Sequence, residues 1–250
     1  MKRMSLHPGE DETLDSFCHG RILVIQKKKG YRFSVDAPLL ADFIQTRESE
    51  ILLELGGGNG IISLLVSRKP SRRIVCLEIQ DSLADLARRN VQLNGLEEKI
   101  TIVQQDLRTF NPKERFDVVF SNPPYISKKT GHLSLSEEKS IAKHEIKCDI
   151  FDIMQLTGKL LKKEGRAYFI YPARRKEDFI EALRRNNLNI KTLRFVYPRT
   201  GSEARWFLSE CDLTSARLEN LPPLFLYDEK GEYTPEMKKI FAGEGRVSNL

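Results

Sequence analysis

Ile51-Leu52-Leu53-Glu54-Leu55-Gly56-Gly57-Gly58-Asn59-Gly60 runs from a short apolar strand straight into a glycine turn, and the helical repeat Ile61, Leu64 and Leu65 follows at once. Strand, glycine turn and helix in that order open a doubly wound α/β unit, whose turn lets a ligand approach backbone that side chains would otherwise shield. The pattern repeats downstream. Further strands are predicted over 73–78, 99–104, 116–121, 165–171, 189–196 and 204–211, the last of them hairpin-paired. Helices over 81–93, 149–161 and 174–186 separate several of them. In the first, Leu83, Leu86, Ala87 and Val91 share one face and Asn94-Gly95 supplies the stop. This alternation predicts a mostly parallel, seven-stranded α/β sheet.

Upstream, residues 1 to about 20 are polar without periodicity and read as a mobile leader. Residues 21–26 predict a strand, and Lys27-Lys28-Lys29-Gly30 the tip of a short β-hairpin returning through Tyr31-Arg32-Phe33. Asp36 is placed to cap a helix with Pro38 in its first turn and Leu39, Leu40, Phe43 and Ile44 on one face. The expected organisation is therefore an amino-terminal segment 1–48, a core domain 49–212 and a carboxyl-terminal extension 213–250.

The 250 residues suffice for one large core, and 40% hydrophobic with 30% charged residues is ordinary for a globular protein. No apolar run approaches the roughly 18 residues that span a bilayer. Nor does the amino terminus carry an apolar secretory stretch, so a cytoplasmic location is expected. Cys18, Cys76, Cys148 and Cys211 are widely spaced, lack metal-ligand spacing and are expected to be reduced thiols. No metal is expected. A net charge of +6 is compatible with a polyanionic partner.

The glycine turn suits two ligand classes. Dinucleotide sites call for a third glycine where Ile61 stands, which weakens a nicotinamide reading. S-adenosylmethionine sites have an acidic residue ahead of the glycines, here Glu54, suited to the cationic methionine amino group or a bridging water. Glu78, ending the second strand, can accept both ribose hydroxyls. Asp106, after the third, can accept from an adenine amino group or simply cap a helix.

Ser121-Asn122-Pro123-Pro124-Tyr125 follows the apolar run 116–120. Two consecutive prolines end a strand abruptly and hold the turn rigid. Asn122 then offers a side-chain oxygen, Pro123 a carbonyl and Tyr125 an aromatic face. Two acceptors beside a stacking ring fit an amino group on a planar base, and with the cofactor reading they imply methyl transfer to nitrogen.

Glu54-Leu55-Gly56-Gly57-Gly58-Asn59-Gly60, Glu78, Asp106 and Asn122-Pro123-Pro124-Tyr125 together resemble the motifs of class I S-adenosylmethionine-dependent amino-methyltransferases. Arg32-Phe33-Ser34-Val35-Asp36-Ala37, Ala142-Lys143-His144-Glu145, Phe195-Val196-Tyr197-Pro198 and Leu221-Pro222-Pro223-Leu224-Phe225 extend the resemblance to the bacterial tRNA1(Val) adenine-N6 methyltransferases. That family modifies the adenosine at position 37, beside the anticodon. Gly57 stands where the family often has a small hydroxyl residue. The resemblance implies a catalytic set of Asn122, Pro123, Pro124 and Tyr125. It implies a cofactor site of Ser34, Asp36, Glu54, Gly56, Gly58, Asn59, Gly60, Glu78, Ile79, Asp106, Leu107 and Asn122.

A tRNA partner, met at its anticodon loop, gives the basic residues Lys27, Lys28, Lys29, Arg32, Lys128, Lys129, Arg174, Arg175, Lys176 and Arg199 an expected role along the phosphates. His144 and Glu145 are expected to order the polar stretch 126–147, a candidate substrate loop, and Trp206 to pack in the core. Three rivals share part of the pattern. Protein glutamine-N5 methyltransferases share Asn-Pro-Pro-Tyr but carry a helical amino-terminal domain, for which the first 50 or so residues leave little room. A DNA adenine methyltransferase would need a separate target-recognition domain. An RNA-binding module without turnover would not need an intact Asn-Pro-Pro-Tyr.

Overall fold

A computed structural model describes residues 7–30, 32–123 and 148–245. The amino-terminal strands β1 (Glu12–Phe17) and β2 (Ile22–Lys27) form a separate antiparallel hairpin, and helix α1 (Asp36–Phe43) follows. The core then alternates β3 (Ile51–Leu55), α2 (Ile61–Val66), β4 (Arg73–Glu78), α3 (Asp81–Leu93), β5 (Ile100–Gln104) and β6 (Phe116–Ser121). It continues through α4 (Ile150–Leu160), β7 (Leu161–Pro172), α5 (Lys176–Arg185), β8 (Asn189–Tyr197) and β9 (Trp206–Asp212). The chain closes with the two-residue strands β10 (Glu219–Asn220) and β11 (Leu224–Phe225) and helix α6 (Pro235–Ala242).

The large sheet has the order β10-β8-β9-β7-β6-β3-β4-β5, with β11 also on β8. Only β9 runs antiparallel to its neighbours, β7 and β8. The seven expected strands are present, and β10 and β11 extend the sheet to nine. From β3 the chain builds outward through β4 and β5, then returns to the other side of β3 as β6. That reversal is a topological switch point, and it opens a crevice at the carboxyl ends of β3 and β6.

The central strands β3, β4 and β6 are buried on both faces, which explains their nearly continuous apolar sequences. Leu52, Ile74, Val118, Phe120, Tyr168 and Leu208 face one core with α1, α2 and α6. Their neighbours Leu53, Val75, Val119, Phe169 and Phe207 face the other, with α4 and α5. Truncating a side chain as buried as Leu53 to alanine costs about 2–5 kcal/mol.

Four expectations are corrected. Residues 12–17 are not a leader but strand β1. Burial along it does not follow apolarity: Glu12 is buried, while Leu14, on the same face, is 47% exposed, so no apolar stripe marks it. The hairpin turn consequently lies earlier than expected, at Cys18-His19-Gly20, all with positive φ. Lys28, Lys29 and Gly30 form a bend leaving β2, and no strand returns through Arg32-Phe33. Next, β7 begins at Leu161 rather than 165, across a register shift against β6. Finally, Asp36 does not cap α1: Val35 stands at the N-cap, and Asp36 is the first helical residue, its carboxylate turned to Asn122.

Two asparagines hold the hairpin to the core. Asn90 on α3 and Asn94 at its C-cap are four apart and present the same face, and each side-chain amide pairs with the backbone of one β2 residue. Asn90 accepts from Ile25 N at 2.7 Å and donates to Ile25 O at 2.9 Å. Asn94 does the same at Leu23, at 2.9 and 2.7 Å. The pair substitutes for a missing neighbouring strand. Arg89, beside them, forms two 2.9 Å bonds with the buried Glu12 carboxylate.

Candidate active site

The glycine turn is built where β3 ends. Gly56 N and Gly57 N both donate to Leu77 O of β4, at 2.9 and 3.0 Å. Gly56, Gly58 and Gly60 have φ of +73°, +57° and +84°, which side chains rarely adopt. A Cβ on Gly60 would also lie 3.3 Å from Ala87 Cβ, so glycine there lets α3 pack close. Asn90 links this turn to the hairpin, since its amide group also donates to Asn59 O at 2.9 Å.

Glu78 holds the turn from β4. Its Oε2 accepts from Gly58 N and its Oε1 from Gln80 N, both at 2.8 Å. Burial raises its pKa above the ordinary carboxyl value, against the lowering effect of those amides. Ile79, next in line, is half-buried.

Glu54 lies beneath the turn. It is 1% exposed, and its Oε2 accepts from Ser63 N at 3.1 Å and from the Ser63 hydroxyl. Burial pushes its pKa up to about 7. The Cys76 thiol adjoins this carboxyl and fills the space beside Gly57, where a Cβ would stand only 2.0 Å from Sγ. Gly57 is thus the complement of Cys76. Neither Cys76 nor Ser63 is marked by the sequence, because both contacts are long-range side-chain fits.

Asn59 is 1% exposed, and neither its Oδ1 nor its Nδ2 has a hydrogen-bond partner among the described residues. A buried amide without partners costs about 1–3 kcal/mol, and a polar ligand in the crevice would relieve that cost. The glycine cradle, the Glu78 carboxyl and this orphaned amide together fit S-adenosylmethionine.

Asp106 follows β5 and caps the short 3-10 turn 107–109 through Arg108 N at 2.9 Å. Its carboxylate also chelates the Arg108 guanidinium, which lowers its pKa. The capping geometry is what the structure contains, and an adenine amino group would have to share Asp106 with Arg108. Leu107 is half-buried.

Across the switch point, Ser121 Oγ donates to Leu55 O at 2.7 Å and ties the end of β6 to that of β3. Asn122 follows, half-buried, and its Nδ2 donates to Asp36 Oδ2 at 2.9 Å. The other Asp36 oxygen accepts from Ser34 Oγ at 2.6 Å and Ala37 N at 3.1 Å. Ser34, Asp36 and Asn122 therefore meet at the mouth of the crevice. Pro123 is buried. Pro124, Tyr125, Lys128, Lys129, His144 and Glu145 lie outside the described residues.

The basic residues divide into two groups. Lys27 pairs with Asp11 and Glu12 at 2.9 and 3.2 Å, Arg32 with Asp15 at 3.2 Å, and Lys28 bonds Glu10 O at 2.7 Å. Much of the hairpin's positive charge is thus neutralised locally, and Lys29 is exposed. The second group lies along the carboxyl ends of β7 and β8. Arg175 pairs with Asp178 at 2.9 Å and stacks over Tyr171, and Lys176 begins α5. Arg174 and Arg199 are exposed. Arg205, which sequence reasoning missed, joins them: its carbonyl accepts from Ala173 N at 3.1 Å and its amide donates to Val196 O at 2.8 Å. Its guanidinium covers Trp206, itself buried in the core.

Residues 31–144 match the family model described as the methyltransferase small domain. A tRNA1(Val) (adenine(37)-N6)-methyltransferase of Phocaeicola vulgatus is 30% identical over 193 residues, 76% of this chain and 80% of that protein. Its namesake from Actinobacillus pleuropneumoniae serotype 7 is 23% identical over 88% of this chain and 92% of its own length. Among solved structures, a predicted O-methyltransferase from Agrobacterium tumefaciens superposes with a TM-score of 0.67 at 19% identity, covering 86% of this chain and all of that one. A putative class I S-adenosylmethionine-dependent methyltransferase from Listeria monocytogenes gives 0.53 at 18% identity, covering 83% of this chain and 68% of that one. These two likenesses bear on the fold alone.

Proposed function

The chain belongs to the tRNA1(Val) (adenine(37)-N6)-methyltransferase family, and from that premise we propose that it methylates the exocyclic N6 amine of adenosine 37 in a tRNA. Its cofactor is S-adenosyl-L-methionine, which supplies an electrophilic methyl group on a sulfonium. The observation that carries the reading is the juxtaposition, across one switch point, of the glycine turn after β3 and Asn122-Pro123 after β6.

An exocyclic amine is a poor nucleophile because its lone pair is delocalised into the ring. The Asn122 carboxamide oxygen and the Pro123 carbonyl accept its two N–H groups, orient the lone pair and stabilise the positive charge that develops on nitrogen. Tyr125 stacks on the base. No strong base is needed, since the proton turns acidic only as the methyl group arrives and then leaves to water. Correct placement of the two reactants supplies about 7 kcal/mol or more of the rate acceleration. A base in the anticodon loop is single-stranded and enters such a pocket at modest cost. A tRNA substrate implies a cytoplasmic enzyme.

No described helix is long and apolar enough to cross a membrane.

The test is incubation with tRNA lacking this modification, followed by nucleoside mass spectrometry. N6-methyladenosine is the expected product. Asn122→Ala should cut the rate about 10²–10³-fold while sparing cofactor affinity and melting temperature. Methylglutamine on a protein substrate, with tRNA untouched, would overturn the reading.

A further inference from the structure

The geometry points to Asp36 as the positioning residue that decides which end of the Asn122 carboxamide faces the substrate. This inference rests on the methyl-transfer reading and deepens it, moving Asp36 out of the cofactor site and into control of the acceptor.

A carboxamide has two ends of opposite polarity and nearly the same shape, and only the oxygen can accept from an amine hydrogen. With the ends exchanged, Asn122 would point N–H groups at the N–H groups of its substrate. Something must break the symmetry. Asp36 does so: its carboxylate only accepts, so it binds the Nδ2 end at 2.9 Å and turns Oδ1 the other way. The carboxylate itself cannot swing, because Ser34 Oγ and Ala37 N hold its second oxygen at the start of α1. At 6% exposed, Asp36 keeps this contact out of bulk water, where it is stronger. The two residues lie 86 positions apart and come from different elements, so the contact is a product of the fold rather than of a local turn.

Asparagine at position 36 must keep its own oxygen toward Ala37 N, which leaves its NH2 group facing Asn122. The Asn122 carboxamide then turns round and presents the wrong end. Asp36→Asn alone should lower kcat about 10²-fold, the size expected when one transition-state hydrogen bond is removed. Asn122→Asp alone sets two carboxylates against each other and should lose a similar factor. Combined, Asp36→Asn/Asn122→Asp restores a donor–acceptor pair and an oxygen toward the substrate.

The experiment is this four-member cycle, measured as single-turnover N6-methyladenosine formation on unmodified tRNA. S-adenosylhomocysteine affinity by calorimetry and melting temperature are read alongside. The double variant is expected to exceed both single variants at least tenfold, with S-adenosylhomocysteine affinity within about twofold throughout, since only the transition-state interaction changes. A double variant no faster than the slower single one would overturn the inference. So would an Asp36→Asn enzyme whose affinity for S-adenosylhomocysteine falls while kcat is retained, because Asp36 would then be a cofactor ligand. Asp36→Ser, which keeps a hydroxyl beside Ala37 N but is too short to reach Asn122, gives a second readout. It should lose kcat with cofactor affinity and stability kept, and undiminished kcat would overturn the assignment. Wild-type turnover on tRNA tests the functional reading separately.

Discussion

Cys76 Sγ occupies the space that a side chain on Gly57 would need: a Cβ there would come within 2.0 Å of the sulfur. Gly57 has no positive φ, so packing alone forbids a side chain at this position. Gly57→Ser should therefore cost about 1–3 kcal/mol as an overpacked core substitution. Adding Cys76→Ala should recover most of that loss, because the hydroxyl enters the space the thiol has left. Urea denaturation of the two single variants and the double variant checks this. Additive losses would show that the two positions do not compete.

Opposite pKa shifts on two buried carboxyls predict the pH profile of stability. Glu54 is raised to about 7 by burial. Between an unfolded value of about 4.3 and that point, the native chain keeps a proton the unfolded chain has lost, so stability falls as pH rises. Glu12 is lowered to about 2, first by its hydrogen bonds from Arg89. Its contribution is present above about pH 4.3 and is lost as pH falls toward 2. Denaturation should thus show more stability at pH 5 than at pH 8, and Glu54→Gln should reduce that difference, leaving the smaller part that the raised Glu78 carboxyl contributes. A Glu54→Gln protein with an unchanged decline would refute the assignment.

Glu78 bonds Gly58 N at 2.8 Å and stands where ribose hydroxyls are expected, so Glu78→Ala should weaken S-adenosylmethionine binding by about 1.5–3 kcal/mol. Calorimetry with S-adenosylhomocysteine reads this directly. Binding of NADH in place of either would sink the cofactor assignment.

The distribution of ion pairs ranks the basic residues. Charge reversal at Arg174, Arg199 and Arg205 should flatten the salt dependence of tRNA binding by about 0.7 in log–log slope for each phosphate no longer engaged. Reversal at Lys27 and Lys28 should matter less, since Asp11, Glu12 and Glu10 already engage them. Filter binding across a salt series separates the two groups. A larger effect from the hairpin lysines would reverse the ranking.

What the sequence made legible follows the physics of each signal. Strands β3, β4 and β6 announce themselves because burial on both faces forces nearly continuous apolar runs, and the crevice because the glycine turn and Asn-Pro-Pro both stand at strand ends. Strand β1 is hidden because its inward position carries Glu12, whose partner Arg89 lies 77 residues away. Strands β10 and β11 are two residues each and join by backbone pairing, which no periodicity records. The same holds within the site. Glu54, Glu78 and Asn122 are readable as residue types at strand ends. The partners that orient them, Ser63, Gly58 and Asp36, come from other elements and only the fold brings them together.

The asparagine clamp has a consequence for biosynthesis. The hairpin leaves the ribosome well before its docking partners Asn90 and Asn94, which sit 65 to 71 residues later. Until α3 has been synthesised and packed, the inner edge of β2 has its amides and carbonyls exposed, and an open strand edge invites pairing with other chains. The charged residues crowded onto this hairpin, Glu10, Asp11, Lys27, Lys28 and Lys29, are suited to keep the waiting segment solvated during that interval. The hairpin is thus made before the neighbours it must wait for.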